Sequence, residues 1–175
     1  LNPDTEIVSD NIESVISLFD NHGEIGIIGS NLLLPGGENQ AWSCGQAASL
    51  KEVVKNKTMI RSKNRPWRKN KKALVDWVSG TALFIRKSLF EQLGGFDEKF
   101  FMYFEDMDLC TRARQAGRKV VYNPDFSILH YGGKSYQDKT KQRRDYHISQ
   151  KYYFQKHYGM IHAVILSVLR KILSK

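Results

Sequence analysis

Three carboxylates fall within four positions in Phe101-Met102-Tyr103-Phe104-Glu105-Asp106-Met107-Asp108, directly after an aromatic run. Like charges this close repel one another. They persist where a helix N-terminus, a cation or a metal offsets them, or where one of them is there to hold a proton. The chemistry such a group offers is general-base catalysis or metal binding. Leu109, Cys110, Ala113 and Ala116 recur as the buried stripe of a helix from Glu105 to Gln115, which Gly117 stops. Asp106 precedes Leu109, Cys110 and Ala113 by three, four and seven residues, so the register turns it inward. Asp108 stands four residues before Arg112, the spacing of an ordinary surface pair. Complementing a helix dipole accounts for Glu105 and Asp108 but poorly for an inward Asp106.

The surrounding elements must position these acids. Ser9-Asp10 reads as a cap for a helix carrying Ile12, Val15, Ile16 and Phe19. Ile25 to Gly29 is an apolar run of strand length, leading through three leucines to the turn Pro35-Gly36-Gly37. Val75 to Ile85 reads as one buried strand interrupted by Ser79-Gly80-Thr81-Ala82, where a glycine lets a ligand or another backbone come close. Lys87 to Leu93 makes a short helix before Gly94-Gly95. Two strands, Lys119–Tyr122 and Phe126–His130, meet at Asn123-Pro124-Asp125. They leave His130 at a strand end, where a lone histidine is either structural or a ligand. Helices over Lys141–His157 and Met160–Ser174 complete an α/β pattern.

At 175 residues and 41% hydrophobic, the chain can bury one sizeable core. Cys44 and Cys110 match no metal-ligand spacing, and nothing suggests a disulfide framework, which points to a reducing cytoplasm. No apolar run reaches the roughly 18 residues a membrane span needs. The chain lacks an initiator Met, and its first residues read as the end of a buried strand, so a preceding segment is expected. Ten Lys and Arg against one acid between Lys51 and Lys72 give a local net charge of +9, equal to that of the whole chain. This is a solvated loop or a surface for phosphates and anionic headgroups. Nucleic acid is disfavoured, since Trp67 is its only aromatic and no stacking platform exists. The last helix carries Ile161, Val164, Ile165, Val168, Leu169 and Ile172 on one side, with Arg170, Lys171 and Lys175 near its end. It packs on its own domain or on other chain, or lies on an anionic membrane surface.

Four patches occur in one order: Leu1-Asn2-Pro3-Asp4-Thr5, Trp77-Val78-Ser79-Gly80-Thr81-Ala82, Gly95-Phe96-Asp97-Glu98 through Glu105-Asp106-Met107-Asp108-Leu109, and His130-Tyr131-Gly132-Gly133-Lys134-Ser135. Together they resemble the second half of a family 2 glycosyltransferase of the GT-A fold, closest to the rhamnosyltransferase-like branch. The resemblance runs from Leu1 to about Gly159. It implies a partial GT-A domain over 1–159, three-layer α/β/α with a mixed sheet and without its N-terminal nucleotide-binding half. Residues 160–175 add an amphipathic helix.

The resemblance further implies an inverting, metal-dependent transfer of a sugar from a nucleotide-diphosphate sugar to a glycan or lipid-linked acceptor in cell-surface polysaccharide synthesis. Asp106 takes the place of the catalytic base. Asp4 and His130 take the places of ligands to Mn²⁺ or Mg²⁺, while Trp77, Ser79, Gly80, Thr81, Glu105 and Asp108 line the donor and acceptor cleft. The implied location is the cytoplasm, peripheral on the inner face of the membrane. One base with in-line displacement inverts the anomeric centre, whereas retention requires a second carboxylate as nucleophile. No Q/R-x-x-R-W motif follows the base, which favours single addition over processive synthesis. The competing reading is a truncated, inactive basic domain that binds a membrane surface or other polyanions.

Overall fold

A computed structural model describes residues 1–9, 11–57, 66–132 and 138–173. The elements in chain order are β1 (Thr5–Ile7), α1 (Ile12–Asn21), β2 (Ile25–Leu33), β3 (Cys44–Gly45), α2 (Leu50–Lys57), α3 (Pro66–Lys69), β4 (Ala73–Val75), β5 (Trp77–Val78), β6 (Leu83–Ile85), α4 (Lys87–Gln92), α5 (Glu105–Gln115), β7 (Lys119–His130), α6 (Lys139–Tyr158) and α7 (Met160–Leu173). They fall into two compact units. The first holds the strands with α1, α3, α4 and α5 from Asp106 onward; the second holds α2, residues 98–105, α6 and α7.

In the first unit a mixed sheet runs β1-β7-β2-β6, with β4 also paired to β7, and β3 and β5 form a separate two-stranded ladder. β2 and β7 are parallel, and the other pairings are antiparallel. β2 is buried along eight of its nine residues because both faces of the sheet are covered. On one face Ile25, Ile28, Leu32, Val121, Phe126 and Ile128 pack with Val15 of α1. On the other, Ile27, Val120 and Tyr122 pack with Leu89 of α4 and with Leu109, Cys110 and Ala113 of α5. This is the α/β/α layering expected of the chain.

The structure departs from the sequence reading at several points. The helix cap is Asn11, whose Oδ1 accepts from the Ser14 N–H; the Asp10 half of the anticipated cap lies outside the described residues. Val75–Ile85 is not one strand: β5 and β6 belong to different sheets, and β4 pairs with β7 instead. The two strands anticipated around Asn123-Pro124-Asp125 are one, β7, with a bulge. Its residues paired to β2 step from Asn123 to Ser127 while β2 advances only from Ser30 to Asn31. Pro124 has no N–H for a ladder, so extra residues loop out and bend the strand. The buried Asn123 amide fills in, donating to Ser14 Oγ and accepting from the Asp125 N–H. Ala116, assigned to the buried stripe of α5, is exposed.

Part of the basic segment, residues 58–65, lies outside the described residues. The described parts on either side are helical, α2 before and α3 after, and Trp67 is buried in the core. Lys72 pairs with Asp125 at 2.7 Å. Cys44 and Cys110 are both buried in the same core cluster, and desolvation pushes each thiol up to about 12.

In the second unit the exposed apolar side of α7 is the one carrying Ile161, Val164, Ile165, Val168 and Ile172. Ala163 and Leu166 are its buried contacts, and Arg170 donates from Nη2 to the Gln150 side chain and the His147 carbonyl of α6. Thus α7 packs on α6 through its other face. Ser174 and Lys175 lie outside the described residues.

Candidate functional site

Tyr103 and Phe104, just ahead of α5, both hold the left-handed conformation (φ 67° and 68°). For bulky residues this costs of order 1–3 kcal/mol each and needs support from neighbours. In the second unit Phe104 is buried against the rings of Tyr146 and Tyr153, and Gln142 Nε2 donates to Tyr103 Oη at 2.7 Å. The turn ends at Glu105, the first residue of α5.

Asp106 is half-buried and held by main-chain donors. The Gly80 N–H reaches Oδ2 at 2.8 Å and the Met107 N–H reaches Oδ1 at 2.7 Å. Hydrogen bonds of this kind favour the carboxylate. Desolvation outweighs them, and the Asp106 pKa is raised above its ordinary value. Each oxygen accepts one of these bonds, which leaves lone-pair capacity on a carboxyl of enhanced basicity.

Asp108 takes a different place. Its side chain has no exposed surface and its Oδ2 accepts from Arg112 Nε at 2.8 Å, with the arginine only 16% exposed. Arg112 Nη1 and Nη2 donate to the carbonyls of Leu93 and Gly95, each at 2.8 Å. The surface pair anticipated for these two residues is therefore a buried anchor tying α5 to the glycine turn after α4. A group without accessible surface makes no contact with an acceptor.

His130, at the end of β7, pairs opposite Thr5, one residue after Asp4. Its Nε2 lies 3.4 Å from Asp4 Oδ1, and its Nδ1 lies 2.7 Å from Gln40 Oε1. Gln40 Oε1 thus engages Nδ1 and leaves Nε2 turned toward the Asp4 carboxylate. A carboxylate oxygen and an imidazole nitrogen at this separation are atom types that can share a cation. The donor set, one carboxylate oxygen and one imidazole nitrogen, fits Mn²⁺ and, less well, the more strictly oxygen-seeking Mg²⁺. Among the described residues no group of three His, Cys, Asp or Glu side chains converges, so these two would be its protein ligands of those types.

Main-chain hydrogen bonds join the two ends. The Asn2 N–H donates to the Thr81 carbonyl at 2.9 Å, and the Tyr131 N–H donates to the Asp4 carbonyl at 3.0 Å. Thr81 is buried, and its N–H and Oγ1 both meet Ser79 Oγ. The Ser79 N–H donates to the Ser43 carbonyl at 2.8 Å. Asp4, His130, Ser79, Gly80, Thr81 and Asp106 thus form one hydrogen-bonded constellation. Trp77 is half-buried and packs against the core beside Gly45. Gly133-Lys134-Ser135, the end of the last motif, lies outside the described residues.

Sequence reasoning missed the segment from Asn39 to Ser43. Asn39 Nδ2 donates to the Trp67 carbonyl, Gln40 holds His130, and Ser43 holds Ser79. Between them Trp42 is half exposed, in a left-handed conformation (φ 64°), with its ring 5.5 Å from that of Trp67. The segment has no periodicity or motif that could have marked it.

The profile described as glycosyltransferase like family 2 matches residues 4–145. An N-acetylglucosaminyl-diphospho-decaprenol L-rhamnosyltransferase of Mycobacterium tuberculosis is 51% identical over 57 residues, 33% of this chain and 19% of that protein. Rhamnosyltransferase WbbL of Escherichia coli is 45% identical over 58 residues, 33% of this chain and 22% of that protein. O-antigen biosynthesis protein RfbC of Myxococcus xanthus is 26% identical over 160 residues, 85% of this chain and 12% of that protein. The chain therefore spans only about a fifth or less of the length of these relatives. With the profile covering most of the sequence, and with the mixed sheet and layers it calls for in place, the chain belongs to the glycosyltransferase like family 2 and has the α/β architecture of a GT-A domain.

Proposed function

We propose that the protein containing this chain transfers a sugar, with inversion, from a nucleotide-diphosphate sugar to a lipid-linked or glycan acceptor in cell-surface polysaccharide synthesis, and that Asp106 is the base. The observation that carries the reading is the raised, partly accessible Asp106 carboxyl on its backbone clamp. An acceptor hydroxyl attacks the anomeric carbon on the face opposite the departing diphosphate. The C–O bond to the acceptor forms as the bond to the leaving oxygen breaks, and the hydroxyl proton passes to Asp106 Oδ. A base whose pKa is lifted toward the operating pH performs that transfer better than an ordinary aspartate.

Asp4 and His130 would hold a divalent cation, which when bound supplies charge to stabilise the leaving diphosphate. Gln40 fixes the His130 ring so that Nε2 faces Asp4. Ser79-Gly80-Thr81 shapes the floor on which the base rests, and Glu105, opening the helix, would orient the acceptor. Rhamnose as the donor sugar is supported by the similarity to two rhamnosyltransferases, one of them an N-acetylglucosaminyl-diphospho-decaprenol L-rhamnosyltransferase.

The test uses the full-length protein. Asp106→Asn keeps the shape and an acceptor for one backbone N–H but cannot take a proton. Transfer should fall by roughly 10²–10⁴-fold, with donor affinity unchanged. Normal turnover by this variant refutes the assignment. The anomeric configuration of the product, read by NMR, tests inversion.

A further inference from the structure

We propose that the outward stripe of α7 is a docking surface for an anionic phospholipid bilayer. Ile161, Val164, Ile165, Val168 and Ile172 follow helical spacing, and their exposures run from 40% to 74%. At about 100° per residue these five aliphatic side chains occupy one arc of roughly 100°. The opposite face is already used against α6 through Ala163, Leu166 and Arg170. The stripe is therefore not the core side of the helix. Fourteen residues make a helix of about 21 Å. That is too short to cross a bilayer, and no helix among the described residues is long and apolar enough to do so. Such a helix binds by lying in the plane of the interface.

Charge selects the occupant. Residues 48–63, 98–105 and 136–175, the second unit, hold fifteen Lys and Arg against five Asp and Glu, a net +10. The remaining residues hold twelve against thirteen. After Asp145 there is no acidic residue at all, while Lys151, Lys156, Arg170, Lys171 and Lys175 follow. Lys171 is exposed, three residues after Val168 and seven after Val164, so it borders the stripe. A second copy would bring two such +10 units together, which electrostatics opposes. An anionic lipid surface takes both the aliphatic stripe and Lys171 at its border, and it attracts a unit of this net charge. This surface is independent of the transfer chemistry, and it would hold the protein where a lipid-linked acceptor resides.

The test is flotation of the chain with vesicles, with no donor or acceptor present, so that it reads binding alone. Vesicles of phosphatidylcholine are compared with vesicles carrying about 30 mol% phosphatidylglycerol, across a salt series. The wild type should float with the anionic vesicles, far less with the neutral ones, and less as salt rises. Val164→Glu with Val168→Glu, both on the exposed stripe, should lower binding at least about tenfold while circular dichroism stays unchanged. The proposal is overturned if wild type fails to float with anionic vesicles, or if the double variant floats as wild type does. It is equally overturned if light scattering shows a wild-type dimer that the variant dissociates and no vesicle binding accompanies it.

Discussion

Replacing Asp108 by alanine separates a structural anchor from a substrate contact. The carboxylate is fully buried and Arg112 is 16% exposed, so the change strands a guanidinium in a largely dry site. Removing one partner of a buried pair costs about 3–5 kcal/mol. Arg112 keeps its bonds to the Leu93 and Gly95 carbonyls and some solvent, which places the cost near the lower bound, about 3 kcal/mol. At ~2–4 °C per kcal/mol for a chain of this size, the midpoint should fall by roughly 6–12 °C. Asp108→Asn retains an acceptor for Arg112 Nε and should cost only about 1–2 kcal/mol. Differential scanning calorimetry beside a urea titration reads both variants, and acceptor KM is measured well below either midpoint. An unchanged midpoint for Asp108→Ala, together with a raised acceptor KM, would refute the anchor and return Asp108 to the substrate.

Four further outcomes follow from the same geometry. A Cβ at Gly29 would stand 2.4 Å from both Cβ and Cγ1 of the fully buried Val78; Gly29→Ala should destabilise by about 1–3 kcal/mol, and adding Val78→Ala should recover part of the loss in urea denaturation. Gln40→Leu removes the acceptor for His130 Nδ1, and calorimetric Mn²⁺ affinity should fall about 10–100-fold; an unchanged affinity removes Gln40 from the site. Because burial raises the Asp106 pKa, the acid limb of kcat/KM should lie above the ordinary aspartate range, with the active carboxylate lost as pH falls through the raised value. For stability the sign is opposite. Charging Asp106 costs stability at pH above its folded pKa, and that cost is relieved as pH falls toward the unfolded value, a dependence Asp106→Asn should erase. Finally, Cys44 and Cys110, both pushed up to about 12, should resist a thiol reagent in the native protein and react only on unfolding.

Much of this was legible in the residues. The helical register of Glu105–Gln115 gave the helix its observed bounds and turned Asp106 toward the fold, since local spacing and a terminating Gly117 decide such a segment. The same register assigned Asp108 to the surface. It failed there because burial on both sides of a helix depends on what other elements cover, here the carbonyls of a distant glycine turn. Pro124 read as a break between strands, whereas the parallel pairing with β2 on either side carries β7 through it. Gln40 carried no signal of any kind. Its role comes from a contact with His130, ninety residues away, which neither composition nor period encodes.

The constellation is stitched by peptide groups: Gly80 N–H to Asp106, Asn2 N–H to the Thr81 carbonyl, Tyr131 N–H to the Asp4 carbonyl and Ser79 N–H to the Ser43 carbonyl. Peptide groups are the same whatever side chain they carry. At positions 2 and 131, which are exposed, side chains can therefore change while these main-chain bonds, and the spacing they set between Asp106 and the Asp4–His130 pair, persist. Frame and surface are thus separable: variation at exposed side chains does not have to rebuild the main-chain scaffold beneath them.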